Sequence, residues 1–274
     1  MKYLENLFNL NNKIIVVTGG SGVIGSELAK GFLKADSKVI LLDKNEERLI
    51  TKVNELKKIN KNTFGYTCDV LDESSISSVN DLIIKKFKRI DVLVNAAGGQ
   101  IPGTTLKPQQ PVFELGIENF NKVTELNLVG TVLPTFVIGK TMAKQKHGSI
   151  INISSMAAIR SITRVVGYSA AKAAIDNFTK WMAVELALKF GDGLRVNAIA
   201  PGFFITNQNK NILVTKNGKL TPRSKLILKQ TPFKRFGKPE ELVGVSLFLA
   251  SDASQFITGT VIPVDGGFSV FSGV

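Results

Sequence analysis

The chain has 274 residues, 44% of them hydrophobic, enough to bury a full core in one large α/β domain. A single cysteine, Cys68, excludes an internal disulfide, and a single histidine, His147, leaves no zinc constellation, so no metal site is expected. The 35 Lys and Arg against 22 Asp and Glu give a net charge of +13, but they are scattered along helical segments with no basic run interleaved with aromatics, which argues against nucleic acid and for a field drawing in an anionic cofactor and substrate.

No Gly/Ser-rich or Pro-rich linker divides the chain, and no apolar run approaches 18 residues. The opening MKYLENLFNLNNK is too polar for a secretory core, so one domain over residues 1–274 is expected, cytoplasmic and with no membrane partner.

Lys13 to Thr18, KIIVVT, is a continuous β-branched run, as in a parallel strand covered on both faces. It breaks into GGSGVIG and then a helical run, SELAKGFLKA. The spacing Gly20-x-Gly22-x-x-Gly25 therefore lies between strand and helix, the context in which glycines let a backbone approach a pyrophosphate at a helix N-terminus. The next apolar run, KVILL, ends in Asp43, whose carboxylate either accepts the ribose hydroxyls of an adenosine or caps the following helix. In the first role it repels a 2'-phosphate and favours NAD. The adjacent Lys44 keeps NADP open.

NTFGYTCDV reads as a third strand leading to Asp69, DESSISSVNDLIIKKF as an amphipathic helix with an acidic first turn, and IDVLVNAAGG as a fourth strand. Alternation of this kind implies a doubly wound parallel sheet, with ligands outside the C-terminal strand ends. Residues 99–116 carry three prolines and no period, so they form a long loop over that rim. A long helix follows, with a distortion expected near Asn127, a poor helix former trailed by Gly130 and Pro134; Asn127 is either functional or packed at a helix interface.

GSIINISS reads as a buried strand delivering Ser154 and Ser155. The helix after it puts Tyr168 and Lys172 on one face, one turn apart. A serine, a phenol and an ammonium so placed form either an arrangement for moving a proton or surface side chains beside a strand cap. LRVNAIA is a sixth strand, ending in Pro201-Gly202. Residues 201–237 interrupt the alternation as a substrate lid, PEELVGVSLFLASDAS starts as a helix with Pro at its first position, and GTVIPVDGG carries a seventh strand.

Taken together, Thr18-Gly19-Gly20 with Gly25, Asp69, Asn95-Ala96-Ala97-Gly98, Asn127, Ser155, Tyr168, Lys172 and Pro201-Gly202 followed by Thr206 resemble a short-chain dehydrogenase/reductase over nearly the whole chain. The resemblance implies a single Rossmann-type doubly wound parallel sheet of seven strands with helices on both faces. It implies contacts to a nicotinamide dinucleotide from Thr18, Gly19, Gly20, Ser21, Val23, Ile24, Gly25, Asp43, Lys44, Asp69, Val70, Asn95, Ala96, Ala97, Gly98, Tyr168, Lys172, Pro201, Gly202, Phe204 and Thr206. It also implies a homotetramer in which the apolar tail after Gly267 helps form subunit contacts. One position departs: the family's TGxxxGxG has glycine where this chain has Val23, so the turn is expected to differ locally. For the catalytic serine, family spacing favours Ser155 over Ser154.

The catalytic set implied is Asn127, Ser155, Tyr168 and Lys172. Tyrosine, with an ordinary pKa near 10, is a poor base at neutral pH and needs a nearby cation, which Lys172 supplies. Ser155 would hold the substrate oxygen, and Asn127 a water that relays protons through Lys172.

ISSMAAIRSITRVVGYSAAKAA, PGFFITNQN and TPFKRFGKPEELVG are similar to the D-mannonate oxidoreductase (fructuronate reductase) branch, which implies a sugar-acid substrate, D-mannonate or D-fructuronate. Oxidoreduction of another polyol or keto-sugar acid, as by gluconate 5-dehydrogenase, and non-catalytic dinucleotide binding are the alternatives. A carboxylate calls for a guanidinium. Arg160, Arg164 and Arg223 are candidates, each otherwise a surface or interface charge, while Gln208 and Asn209 are candidates for reading hydroxyls.

Overall fold

The computed structural model describes residues 2–206 and 209–273. A short helix, α1 (Lys2–Leu7), has no buried residue and precedes the repeating units. The apolar runs then become strands and the amphipathic segments helices: β1 (Ile14–Thr18), α2 (Val23–Lys34), β2 (Lys38–Asp43), α3 (Glu46–Lys57), β3 (Thr63–Thr67), α4 (Glu73–Phe87) and β4 (Val92–Asn95). After the long loop come α5 (Ile117–Thr124), α6 (Gly130–Gln145), β5 (Gly148–Ile153), α7 (Val166–Phe190) and β6 (Leu194–Pro201). Next are α8 (Lys210–Leu213), α9 (Pro222–Gln230), α10 (Val243–Ala250) and β7 (Val261–Val264).

The seven strands form one parallel sheet in the order β3-β2-β1-β4-β5-β6-β7. The chain moves outward from β1 to β3, then returns to the other side of β1. The order therefore reverses between β1 and β4, where Thr18 lies opposite Asn95, and a ligand crevice belongs at that reversal. Side chains alternate along each strand between two cores. Ile15, Val17, Leu41 and Val94 pack with α2, α3 and α10, and Val16, Ile40, Leu93 and Ile150 with α4, α6 and α7.

The segment Ile117–Gln145 is long and apolar enough to cross a membrane by length and composition, but half of its most apolar window is buried inside the fold. Its α6 part packs on α4, β4, β5 and α7, as a core helix does. The distortion anticipated near Asn127 is present as a π turn, Glu125–Val129, between α5 and α6. The helix expected to begin at Pro239 instead begins with a 3-10 turn, Pro239–Leu242. Glu241 there accepts from the Lys238 N–H at 2.8 Å and pairs bidentately with Arg235 at 2.6 and 2.7 Å, which holds the tighter turn.

Candidate active site

β1 delivers Thr18 to the crevice, where its Oγ1 accepts from the N–H groups of Ala96 and Ala97, each at 3.1 Å, tying the two glycine-rich turns together. Gly19 follows with φ +62°, and a Cβ there would lie 2.7 Å from Ala97 Cα. The Gly19 carbonyl accepts from Gly22 N–H at 2.9 Å, and a Cβ on Gly25 would stand 2.4 Å from that same oxygen. These are places where only glycine fits. Gly22 is the N-cap of α2 without a side-chain bond, and the first turn of α2 carries no acidic residue. Its amides and its dipole suit an anion. Val23 is the first residue of α2 and lies outside the positive-φ turn, which is why a β-branched residue is tolerated there.

Asp43 ends β2 at this turn. Its Oδ2 accepts from Ser21 N–H at 3.2 Å and Ser21 Oγ at 2.5 Å, and its Oδ1 from Asn45 N–H at 3.1 Å. The capping alternative for Asp43 does not hold, because Asn45 caps α3, accepting from Arg48 N–H at 2.8 Å. Lys44 is exposed. Asp69 accepts from Leu71 N–H at 3.0 Å, and Val70 packs beside Gly130. Asn95 points into the core, where its Nδ2 donates to Thr135 Oγ1 and Asn152 Oδ1, both at 2.9 Å, so it braces β4 against β5. The cradle, the uncapped helix start and the carboxylate at the end of β2 together fit a dinucleotide.

The end of β5 and the start of α7 carry the candidate catalytic side chains. β5 ends at Ile153, and the two serines beyond it diverge. Ser155 Oγ accepts from Ala157 N–H at 3.1 Å and shares a hydrogen bond with Tyr168. Ser154 turns the other way, donating to Asp176. Lys172 is 4% exposed, and its Nζ donates to the Ile153 carbonyl at 2.6 Å while lying 5.6 Å from the Tyr168 ring centre. Burial lowers the Lys172 ammonium to about 8, with Asp176 opposing. The Tyr168 phenol is not brought down as the sequence suggested. Burial raises it, against the Ser155 bond, because the charge of a phenolate is disfavoured more strongly here than that bond favours it.

Asn127 is fully buried on the π turn. Its Nδ2 donates to the carbonyls of Gly99 and Val123, and its Oδ1 accepts from Gly99 N–H at 2.9 Å, so the amide holds the loop at Gly99 and spends its other proton on α5. A Cβ on Gly98 would lie 2.7 Å from Asn127 Oδ1 and 3.7 Å from Lys172 Nζ.

These residues open onto a cavity of about 230 Å³, whose floor includes Ser155, Tyr168 and Lys172 and whose walls include Arg164 and Arg223. Among the described residues, no Asp or Glu lines it. Arg164 has φ +77°, and its Nε donates to the Leu106 carbonyl while its own carbonyl accepts from Leu106 N–H at 3.0 Å. Arg223 donates to Thr163 Oγ1 at 3.2 Å and to Thr163 O at 3.3 Å, and burial with the charge of Arg164 holds it below the usual guanidinium range. Pro201, Gly202, Phe204 and Thr206 complete the wall at the end of β6.

Three of the sequence candidates stand differently. Arg160 does not line the cavity; it donates to Phe271 O at 2.6 Å and so ties down the C-terminal tail. Asn209 lines the cavity, but its amide is committed to Thr206 N–H at 2.8 Å and Phe204 O at 2.7 Å, which leaves it a loop staple more than a reader of hydroxyls. Gln208 lies outside the described residues. Gln100 and Thr105, within the long loop, also line the cavity and were not singled out, since nothing local marks them.

Residues 20–269 match the family described as enoyl-(acyl carrier protein) reductase. A relative from Bacillus subtilis (strain 168), named uncharacterized oxidoreductase UxuB, is 42% identical over 97% of this chain and 98% of its own. A solved structure from Haemophilus influenzae, provisionally named a D-mannonate oxidoreductase and holding NAD, is 42% identical, with TM-score 0.90 over 97% of this chain and 98% of that one. A gluconate 5-dehydrogenase from Burkholderia cenocepacia J2315, solved with NADP and tartrate, is 28% identical, with TM-score 0.86 over 97% and 98%.

Proposed function

We propose, from the premise that this chain belongs to the short-chain dehydrogenase/reductase family and is an NAD(P)-dependent oxidoreductase acting on CH–OH groups, that its substrate is a sugar acid of the D-mannonate/D-fructuronate type. The carrying observation is the pair of guanidiniums, Arg164 and Arg223, in a cavity that also holds Ser155 and Tyr168 and has no Asp or Glu among its described lining residues. Two like charges so close are held at a cost that a bound carboxylate relieves, and a guanidinium fork suits a carboxylate bidentately. The name of the Haemophilus influenzae relative supports the same substrate class. The Burkholderia cenocepacia relative supports a second reading, another keto-sugar acid, which the same arginines would serve.

Gly19, Gly20, Ser21, Val23, Ile24 and Gly25 would hold the pyrophosphate end of the dinucleotide. Asp43, with Asp69 and Val70 nearby, would hold its adenosine, and Asn95–Gly98 with Pro201–Thr206 would flank the nicotinamide end. The dinucleotide, when bound, gives or takes the hydride. Tyr168 passes a proton to or from the substrate oxygen, and Ser155 holds that oxygen by a hydrogen bond. Lys172 sets an ammonium beside the phenol, and Asn127 would position a water that relays protons through Lys172, beside Gly98, where a side chain would crowd Asn127 Oδ1. Asp43 favours NAD, since a carboxylate repels a 2'-phosphate. Residues 201–237 act as the lid. The same reading includes a cytoplasmic enzyme and a homotetramer.

Steady-state assays of D-fructuronate with NADH and NADPH, and of D-mannonate with NAD and NADP, test this reading. Activity is expected with NAD(H), and Asp43→Asn is expected to raise KM for NAD and lower it for NADP. Because hydrogen bonds to charged groups contribute about 1.5–3 kcal/mol, Arg164→Met should raise KM for the sugar acid about tenfold to a hundredfold. A neutral polyol used better than either sugar acid by the unaltered protein would dismiss the substrate.

A further inference from the structure

The two groups packed behind Lys172 have no part in the chemistry above. Asp176 follows Lys172 by one turn of α7 and is half-buried. Its Oδ1 accepts from Ser154 Oγ, Ser154 Oγ itself lies 3.4 Å from the Lys172 carbonyl oxygen, and Ser154 N–H donates to Ile199 O at 2.8 Å. Ile153 meanwhile receives the Lys172 ammonium at 2.6 Å. Two successive residues at the end of β5 are thus bonded to two side chains one turn apart on α7, a clasp that sets how the helix sits on the strand.

We propose that Asp176, held by Ser154, is a positioning residue for Lys172: it seats the first turns of α7 on the end of β5 and is the counter-charge of the buried ammonium. The proposal rests on the oxidoreductase reading, with Lys172 in the proton path. An ammonium enclosed without an opposite charge loses its proton or its place. The groups recorded around Lys172 are Tyr168 and Asp176 on α7, the Ile153 carbonyl and Ser154 on β5 and its extension, and Gly98 beside Asn127 at the end of β4. Asp176 is the carboxylate among them. Its charge opposes the effect of burial on Lys172, and Lys180 and Lys172 in turn oppose the effect of burial on Asp176.

Asp176→Asn keeps the volume and an acceptor for Ser154 but removes the charge, and Asp176→Glu restores the charge. Two measurements on each variant separate the possibilities: the titration of Lys172, followed by NMR of side-chain carbon-labelled lysine without turnover, and the pH profile of kcat. For Asp176→Asn the Lys172 midpoint should fall from about 8 by roughly one pH unit, a tenfold change in proton affinity. The alkaline limb of kcat should move with it, KM for the dinucleotide should change less than kcat, and Asp176→Glu should restore both. A midpoint and limb that both stay at their original values overturn the proposal. A midpoint that moves without the limb supports the pairing and overturns instead the proton-path role given to Lys172.

Discussion

Tyr168 carries the proton in the proposed reaction, and its environment decides how. Burial raises its phenol while Ser155 pulls the other way, so the residue rests as a neutral hydroxyl, ready to donate to a carbonyl oxygen. Positioned acid–base catalysis contributes about 100- to 10,000-fold, so Tyr168→Phe should lose that much kcat in a stopped-flow or steady-state assay, with dinucleotide binding retained. Lys172 offers a test that needs no substrate. Its folded value of about 8 lies below the ordinary 10.5, so between those pH values the unfolded chain binds the proton that the folded chain has released, and stability rises with pH across that window. The rise attributable to this group should reach about 2 kcal/mol by roughly pH 9.5 and vanish in Lys172→Met, as read by urea unfolding at pH 7 and 9.5.

Among the elements, the turn between β1 and α2 is tightly constrained. A methyl on Gly25 would press on the Gly19 carbonyl at 2.4 Å, and that oxygen is held by Gly22 N–H. Neither backbone can yield cheaply. Gly25→Ala should therefore cost about 1–3 kcal/mol in urea unfolding, the range for overpacked sites, and weaken NADH binding measured by fluorescence titration. Gly22 and Val23 show how the same turn absorbs a departure from the family pattern, since the glycine moved to the N-cap and the valine began the helix. The π turn at Glu125–Val129 was legible as a distortion from Asn127, Gly130 and Pro134. Its purpose was not, because the partner of Asn127 is Gly99, on a loop without periodicity.

At the scale of the whole molecule, α7 leaves Trp181, Val184 and Leu188 exposed along one face, with Phe136 on α6 also exposed. An exposed apolar face of this kind fits a second copy of the chain, as the proposed homotetramer would require. Trp181→Glu is expected to reduce the mass found by light scattering from tetramer to a smaller species. The alternation of strands and helices, the parallel sheet and the gathering of Thr18, Asp43, Asn95 and Ser155 on one rim were determined by the sequence itself, because strand period, helix period and glycine turns are local and the handedness of crossovers does the rest. Which arginines face the cavity, which serine meets the phenol and how burial shifts Tyr168 and Lys172 were decided only in three dimensions. Arg164 is aimed by Leu106, Arg160 is drawn away by Phe271, and Ser154 is claimed by Asp176. Such partners are distant in sequence or on another element, and a side chain's direction and solvation depend on them more than on its neighbours in the chain.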